Sequence, residues 1–301
     1  YASGWLRVHY PAEYLAAILT EAPGMWSPST KRQEARAWGV PVLPFDVNAS
    51  GVHYRVERAR VEGGEPVKAV RPPLCAVQGV SEQTAREVLL ERLRHGPYRS
   101  VDDAYQRLPL GRDVFEALVR AGAFDRLGGR REALYRVGAL ANTHASGQRT
   151  LFSGVPEAPE LPPLSLQERY VWDFQTTRFS TLEVHAIDFV RDQLRELDCV
   201  PLLRLRRAAR KTRVRTAGLV VGKQRPPTAK GFAFFVLEDG PVRAQLIIPP
   251  DLWDAHRVLL RDASILVTDA AVEDTGYQLT LKALSLSELP APVQVRGYHF
   301  A

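Results

Sequence analysis

The chain has 301 residues, 45% hydrophobic and 25% charged, a composition that excludes a disordered protein and allows two domains. No apolar run approaches the roughly 18 residues that span a membrane, and the first residues lack the positive charge that opens a signal peptide, so we expect a cytoplasmic protein. The two cysteines and seven histidines form no CxxC pair and no zinc-ligand spacing, which excludes a disulfide framework and a structural zinc.

The net charge of +6 is unevenly distributed along the chain. Residues 199–237 contain ten Lys and Arg and no Asp or Glu, whereas the rest of the chain carries a net charge of −4. A concentrated basic segment is suited to a polyanion, because each neutralised phosphate releases counterions. The alternative is a solvated charged face, and composition alone does not separate the two.

The first 70 residues are predicted to form a small mixed region. Apolar residues recur at helical spacing from Leu6 to Leu19, with Pro11 suited to a first turn. Prolines then interrupt the chain, and period-two alternation flanks the pair Gly63–Gly64. The predicted elements are helices over 6–19 and 31–38 and strands over 52–56 and 67–70.

Helices dominate the prediction from residue 74 to residue 145. Ser100, followed three residues later by Asp103, has the pattern of a helix N-cap. The predicted helices cover 82–94, 101–108, 112–120 and 130–142.

The segment that begins at Leu74 has the pattern of a helix-hairpin-helix. A short apolar turn leads into Gly79, Val80 and Ser81 and then into an amphipathic helix. In this motif, hairpin amides at a helix N-terminus hold a DNA phosphate, so these three residues are predicted DNA contacts. Ser81 stands where a second glycine is usual, and a helix-turn-helix packing element is the alternative.

A Ser-, Gly- and Pro-rich linker over 146–163 and a mostly helical stretch over 166–197 precede a change of period to two at Arg213. Five short strands, with a helix between the third and the fourth, have the order of an OB fold. The predicted strands are 214–221, 232–238, 242–248, 264–269 and 277–284, and the helix is 251–260.

An OB barrel binds single strands on its second and third strands and on the loops joining strands one to two and four to five. The first of these loops, 222–231, is long, basic and flanked by glycines. The phenylalanines of strand two either stack on bases or pack in the core. The predicted DNA contacts of this region are Arg213, Arg215, Lys223, Arg225, Lys230, Phe232 and Phe234.

Together these segments resemble the C-terminal part of the alpha subunit of bacterial DNA polymerase III, a C-family polymerase, and most closely its error-prone, damage-tolerance branch. Four features favour that branch: Ser81, the Arg225–Pro226 loop, the segment 24–28 and a chain that stops soon after the OB fold. The collinear motifs that carry the resemblance lie at 5–19, 39–50, 77–81, 96–100, 116–128, 214–221 and 224–239.

The resemblance implies a part in DNA replication, repair and translesion synthesis. Family members polymerise with palm carboxylates that hold two Mg²⁺ ions, and these residues lie upstream of the segments matched here. The sequence has no Asp-x-Asp pair, and a favourable helix dipole explains the adjacent Asp102 and Asp103. We therefore expect no cofactor in this chain, Mg²⁺ only in the palm, and no polymerisation by the chain alone.

The linker contains Gln148, Leu151 and Phe152, which resemble the family's short peptide that docks on the sliding clamp. Leu151 and Phe152 suit adjacent apolar pockets, and the amide of Gln148 would fix the register. The alternative is that Phe152 packs against its own helical domain.

The sequence thus predicts an α+β protein with a mainly helical N-terminal region, comprising the end of the fingers and the helix-hairpin-helix, followed by a C-terminal OB-fold β-barrel. The predicted domains are the end of the fingers (1–70), the helix-hairpin-helix domain (71–145), the linker (146–165), a helical connector (166–205) and the OB fold (206–301).

The predicted function is the DNA-binding C-terminal region of an error-prone polymerase. Its expected partners are DNA, the sliding clamp and, where encoded apart, a palm and fingers polypeptide, with no membrane and with nucleoid association on DNA. The alternative is a self-standing single-stranded-DNA-binding or clamp-adaptor protein derived from a polymerase.

Overall fold

The computed structural model describes residues 2–21, 35, 38–60, 64–145, 159–182, 184–274, 276, 278–290 and 298–300. The chain divides into two compact units, 1–182 and 183–301. The division falls inside the segment predicted as a helical connector. In the first unit the helices are α1 (Ala2–His9), α2 (Pro11–Glu21), α3 (Glu82–His95), α4 (Val101–Arg107), α5 (Arg112–Arg120), α6 (Arg130–Ala145) and α7 (Leu166–Thr177), and the strands are β1 (Arg55–Ala59) and β2 (Val67–Arg71).

The region predicted as one helix over 6–19 forms two helices that meet at Tyr10. Pro11 has no amide hydrogen for the helical ladder, and its ring disfavours helical backbone at the preceding residue. The predicted strand over 52–56 begins later, at Arg55, which lies opposite Arg71 in the antiparallel pair. The predicted helix over 31–38 lies largely outside the described residues.

The helical core of the first unit encloses large side chains that are almost inaccessible to solvent, among them Phe115 and Phe124. Ser100 caps α4 as predicted, because its Oγ accepts a hydrogen bond from the amide of Asp103 at 3.0 Å. The prediction of a mostly helical stretch over 166–197 is interrupted after Thr177. Arg178 takes the left-handed conformation there, and the carboxylate of Asp173 accepts from Ser180 at 2.7 Å.

The second unit is a closed five-stranded barrel with short helices before it and between its third and fourth strands, which confirms the predicted OB fold. The order around the barrel is β3–β4–β5–β7–β6, and β3 closes it by pairing with both β4 and β6. The barrel strands are β3 (Arg213–Gln224), β4 (Ala233–Asp239), β5 (Val242–Ile248), β6 (Ile265–Asp274) and β7 (Leu279–Ala283). The other elements of this unit are α8 (Arg191–Glu196), α9 (Leu202–Leu205), α10 (Pro250–Ala255), α11 (Arg257–Asp262), β8 (Ser287–Leu289) and β9 (Tyr298–Phe300).

The alternation of the barrel strands sets which side chains fill the interior. In β5 every second residue is buried, beginning at Val242, and the residues between them are half-exposed. The register Phe235 opposite Leu246 brings two such buried side chains together across the β4–β5 pair. A period of two therefore gives the barrel one apolar inner face and one outer face that solvent reaches.

Two acidic residues at the end of β4 attach the part of the second unit that precedes the barrel, through His185 and Leu202. Buried Glu238 contacts His185 Nε2 at 3.1 Å and accepts from Arg243 at 2.8 Å. Burial opposes the charged carboxylate, but these two partners outweigh it and lower the pKa of Glu238. Asp239 accepts from the first amide of α9, that of Leu202, at 3.0 Å.

Candidate nucleic-acid interfaces

The hairpin before α3 is a tight turn built around Gly79. The amide of Val80 donates to Val77 O at 3.1 Å, and Gly79 takes a φ of +82°, which glycine adopts readily. A Cβ at Gly79 would meet no atom within 4 Å, so the space in front of its backbone is open. A ligand can therefore approach this main chain closely.

Ser81 begins α3 as its N-cap. Its Oγ accepts from the amide of Thr84 at 3.0 Å, and the amides of Glu82 and Gln83, the first two helical residues, have no carbonyl partner within the helix. Val80 is buried in the core, whereas Gly79 and Ser81 are exposed. Of the three predicted contacts, Val80 can therefore meet a phosphate only through its backbone, while its side chain anchors the hairpin.

The outer face of the barrel presents two rows of side chains across β3, β4, β5 and β7. Phe234, Ile247 and Gln245 on this face are half-exposed, and Gly222 of β3 adds no side chain beside Val236. The strand pairings align the rows Gln224–Phe234–Ile247–Lys282 and Gly222–Val236–Gln245–Thr280. An apolar patch bordered by amide side chains and one ammonium is suited to bases that stack on Phe234 and to a phosphate backbone beside them. Phe232 is half-buried just before β4.

The loop between β3 and β4 holds Arg225 and Lys230, both exposed. The Arg225 guanidinium lies 4.8 Å from the ring centroid of Trp253 on α10, and this ring stands edge-on to Phe235. A stacked guanidinium keeps its donors at its edge, where they can reach a phosphate. Sequence reasoning missed Trp253, and its place in the predicted helix after strand three is the one signal that could have indicated it.

Lys223 is placed differently from the other predicted cations. It lies opposite Phe235 and is 6% exposed, and its ammonium donates to Leu260 O at 2.8 Å and Arg261 O at 2.7 Å. Burial lowers the pKa of Lys223, although nearby carboxylates act in the opposite direction. Lys223 thus binds the C-terminal carbonyls of α11, and its buried ammonium is not exposed to a DNA phosphate.

Arg213 and Arg215 lie at the start of β3 and are exposed. Arg215 forms a two-pronged ion pair with Asp269, at 2.8 and 3.0 Å, which raises the pKa of the guanidinium. A phosphate at Arg215 would have to compete with this carboxylate.

The predicted clamp residues Gln148, Leu151 and Phe152 lie outside the described residues. Within the described part of the chain, no three His, Cys, Asp or Glu side chains come close enough together to hold a metal ion. The described helices include none long and apolar enough to cross a membrane.

Comparison with known proteins gives two findings. Residues 39–134 match the family described as the helix-hairpin-helix motif. Among curated proteins, the chain is similar to the error-prone DNA polymerases of Corynebacterium efficiens (38% identical over 293 residues), Corynebacterium glutamicum (35% over 291 residues) and Mycolicibacterium paratuberculosis (34% over 300 residues).

These alignments cover 96 to 99% of this chain but only 26 to 27% of each relative. The chain therefore spans about a quarter of the length of the proteins it matches.

Proposed function

We propose that the chain is the DNA-binding region of a polymerase, because nearly all of it is homologous to the C-terminal part of error-prone DNA polymerases. We propose that this polymerase acts in repair and translesion synthesis. Its place of action would be the nucleoid in the bacterial cytoplasm. The homology and the helix-hairpin-helix match support a polymerase-derived DNA-binding region. Each unit supplies one surface for this function.

The barrel binds the single-stranded template. The observation that carries this proposal is the half-exposed outer face of β4 and β5, where Phe234 and Ile247 adjoin across paired strands beside a basic loop. Aromatic stacking and cationic side chains together bind single strands with little sequence preference. Lys282 adds a positive charge on that face, and the exposed Arg225 and Lys230 add charge in the adjoining loop.

The hairpin binds the phosphate backbone of the duplex. Open space in front of Gly79 and the free amides at the start of α3 form a site for a phosphate oxygen. Such contacts read no base sequence, which suits a protein that must follow DNA of any sequence.

Polymerisation requires residues outside this chain. Two-metal catalysis needs paired carboxylates, and the sequence contains no Asp-x-Asp pair. Primer extension with Mg²⁺ or Mn²⁺ should therefore give no product with this chain alone. Extension that disappears when an acidic residue of this chain is replaced would contradict the proposal.

Binding of an oligothymidine, followed by fluorescence anisotropy, tests the barrel assignment. Phe234→Ala should weaken binding about 5- to 160-fold, since one stacked base contributes about 1–3 kcal/mol. Tyr135→Ala is the matched control, because Tyr135 is an exposed aromatic residue of α6, outside the barrel. Equal affinities for the two variants would contradict a stacking role for Phe234.

We further propose that Gln148, Leu151 and Phe152 bind the sliding clamp. The support is the sequence alone: an apolar pair follows a glutamine in a segment rich in Ser, Gly and Pro. A palm and fingers polypeptide is the remaining expected partner.

A further inference from the structure

Six cations stand close together just before the barrel begins. They lie within residues 204–213, from the third residue of α9 to the first residue of β3, and all six are exposed. This basic strip consists of Arg204, Arg206, Arg207, Arg210, Lys211 and Arg213. Six of the ten Lys and Arg residues within 199–237 therefore belong to the strip and lie outside the β3–β4 loop.

The basic strip has fewer carboxylate partners than three other exposed arginines of the same unit. Arg195 pairs with Asp192 at 2.7 Å, Arg257 with Asp254 at 2.7 Å and Arg261 with Asp262 at 2.9 Å. In the strip, the described residues provide one carboxylate, Glu273, at 3.9 Å from Arg210. Like charges this close repel one another, so a surface that keeps them unpaired is suited to a polyanion.

The barrel fixes the position of the basic strip. The amide of Lys211 donates to Val272 O at 2.6 Å, the amide of Val272 donates to Thr212 O at 3.0 Å, and Arg213 lies opposite Ala271. The strip is thus held at the end of β6 that leads into β7. In OB folds the ligand face is flanked by two loops, which correspond here to the β6–β7 loop and the β3–β4 loop.

We infer that the basic strip contacts the phosphates of a single DNA strand that also binds the outer face, so that the backbone runs from the β3–β4 loop to the strip. This inference rests on the proposed single-strand binding by the barrel. The loop and the strip lie at opposite ends of β3, whose 12 residues extend at most about 36 Å at roughly 3.3 Å per residue. A strand stacked at about 3.4 Å per nucleotide needs about 11 nucleotides to cover that distance, within the site sizes of OB folds.

The test compares two triple variants of the full chain. The strip variant removes three of the six positive charges of the strip by Arg206→Gln, Arg207→Gln and Arg210→Gln. The control combines Arg195→Gln, Arg257→Gln and Arg261→Gln, which remove the same charge from exposed, acid-paired positions of the same unit. Anisotropy with oligothymidines of about 6 and about 16 nucleotides is measured over a range of salt concentrations.

With the longer oligomer, the slope of log affinity against log salt concentration should be smaller by about 2 in the strip variant than in the parent. Each phosphate contact contributes about 0.7 to this slope, and the variant loses three such contacts. The control should keep the parental slope, and the loss should be smaller with the shorter oligomer. Equal slopes in the two triple variants, or equal losses at both lengths, would overturn the inference.

Phe234→Ala separates this result from the proposed function. Two results would refute both binding by the barrel face and the inference about the strip. In the first, the parent binds neither oligomer. In the second, Phe234→Ala binds both oligomers as tightly as the parent does. If Phe234→Ala weakens binding but the strip variant behaves like its control, only the basic strip is wrongly assigned.

Discussion

Arg130 and Asp173, 43 positions apart, form a buried ion pair with a separation of 2.6 Å between Nη1 and Oδ1. Both partners are fully engaged: Arg130 also binds Asp125 through two hydrogen bonds, and Asp173 also accepts from Ser180 and from the amide of Thr181. The pair thereby joins α7 to the start of α6.

Arg130→Met should lower the free energy of unfolding by about 3–5 kcal/mol, because it leaves the Asp173 carboxylate buried without its counter-ion. Urea denaturation of the full chain measures this loss. Arg131→Gln is the matched control: Arg131 pairs with Glu168 at the surface, so we expect a change below about 0.5 kcal/mol. A similar small loss for both variants would show that the buried pair does not stabilise the first unit.

Tyr98 should make stability pH-dependent in alkaline solution. Burial raises the pKa of Tyr98 to about 12, and its hydroxyl donates to Val88 O at 2.9 Å. The unfolded chain loses this proton near pH 10, so the contribution is complete below pH 10 and is lost as the pH rises to about 12. Parent and Tyr98→Phe should therefore differ in the slope of unfolding free energy between pH 10 and 12. Identical slopes would contradict the assignment.

Lys223 and the loop cations should respond differently to substitution. Lys223→Met should lower the free energy of unfolding by about 1–3 kcal/mol, since two carbonyls of α11 lose their donor, and should leave the salt dependence of DNA binding unchanged. Arg225→Gln with Lys230→Gln should instead reduce the salt slope by about 1.4 at similar stability. Thermal melts and anisotropy check both, and a lower salt slope for Lys223→Met would mean that Lys223 contacts phosphate.

The parent should bind the sliding clamp weakly, with a Kd of order micromolar, because a linear peptide must lose conformational entropy on binding. Leu151→Ala with Phe152→Ala should abolish this binding, because it removes both apolar anchors. Calorimetric titration with the host's clamp measures it. Thr150→Ala, at an adjacent position of the peptide whose side chain the motif does not use, is the control. A lower melting temperature for the double variant, with no heat of binding in the parent, would favour packing of Phe152 within its own chain.

Much of the barrel follows from the sequence, because alternation is a local signal. The five strands and the helix between the third and the fourth appear near their predicted positions, and the N-cap at Ser100 depends on residues only three positions apart. Non-local contacts do not follow in this way. Arg215 is neutralised by Asp269, which is 54 positions away, and Trp253 lies 28 positions beyond Arg225.

The direction of Lys223 illustrates the same limit. An irregularity between Val220 and Gly222 shifts the register of β3 against β4, and Lys223 consequently faces inward, opposite Phe235. A strict period of two gives no sign of such a shift. The charge count of residues 199–237 thus indicates a basic segment, whereas only the folded barrel shows which cations remain unpaired.

The double pairing of β3 also bears on the order in which the barrel assembles. Its second half pairs with β4, the next strand along the chain, but its first half must find β6 about fifty residues further along the chain. The larger loop costs more chain entropy, so we expect the β3–β6 contact to form after the β3–β4 contact during folding. The basic strip adjoins that contact and acquires its final arrangement only on closure. Bound DNA that reaches both ends of β3 would therefore hold the barrel shut, and its presence would slow the exchange of the β6 amides with solvent.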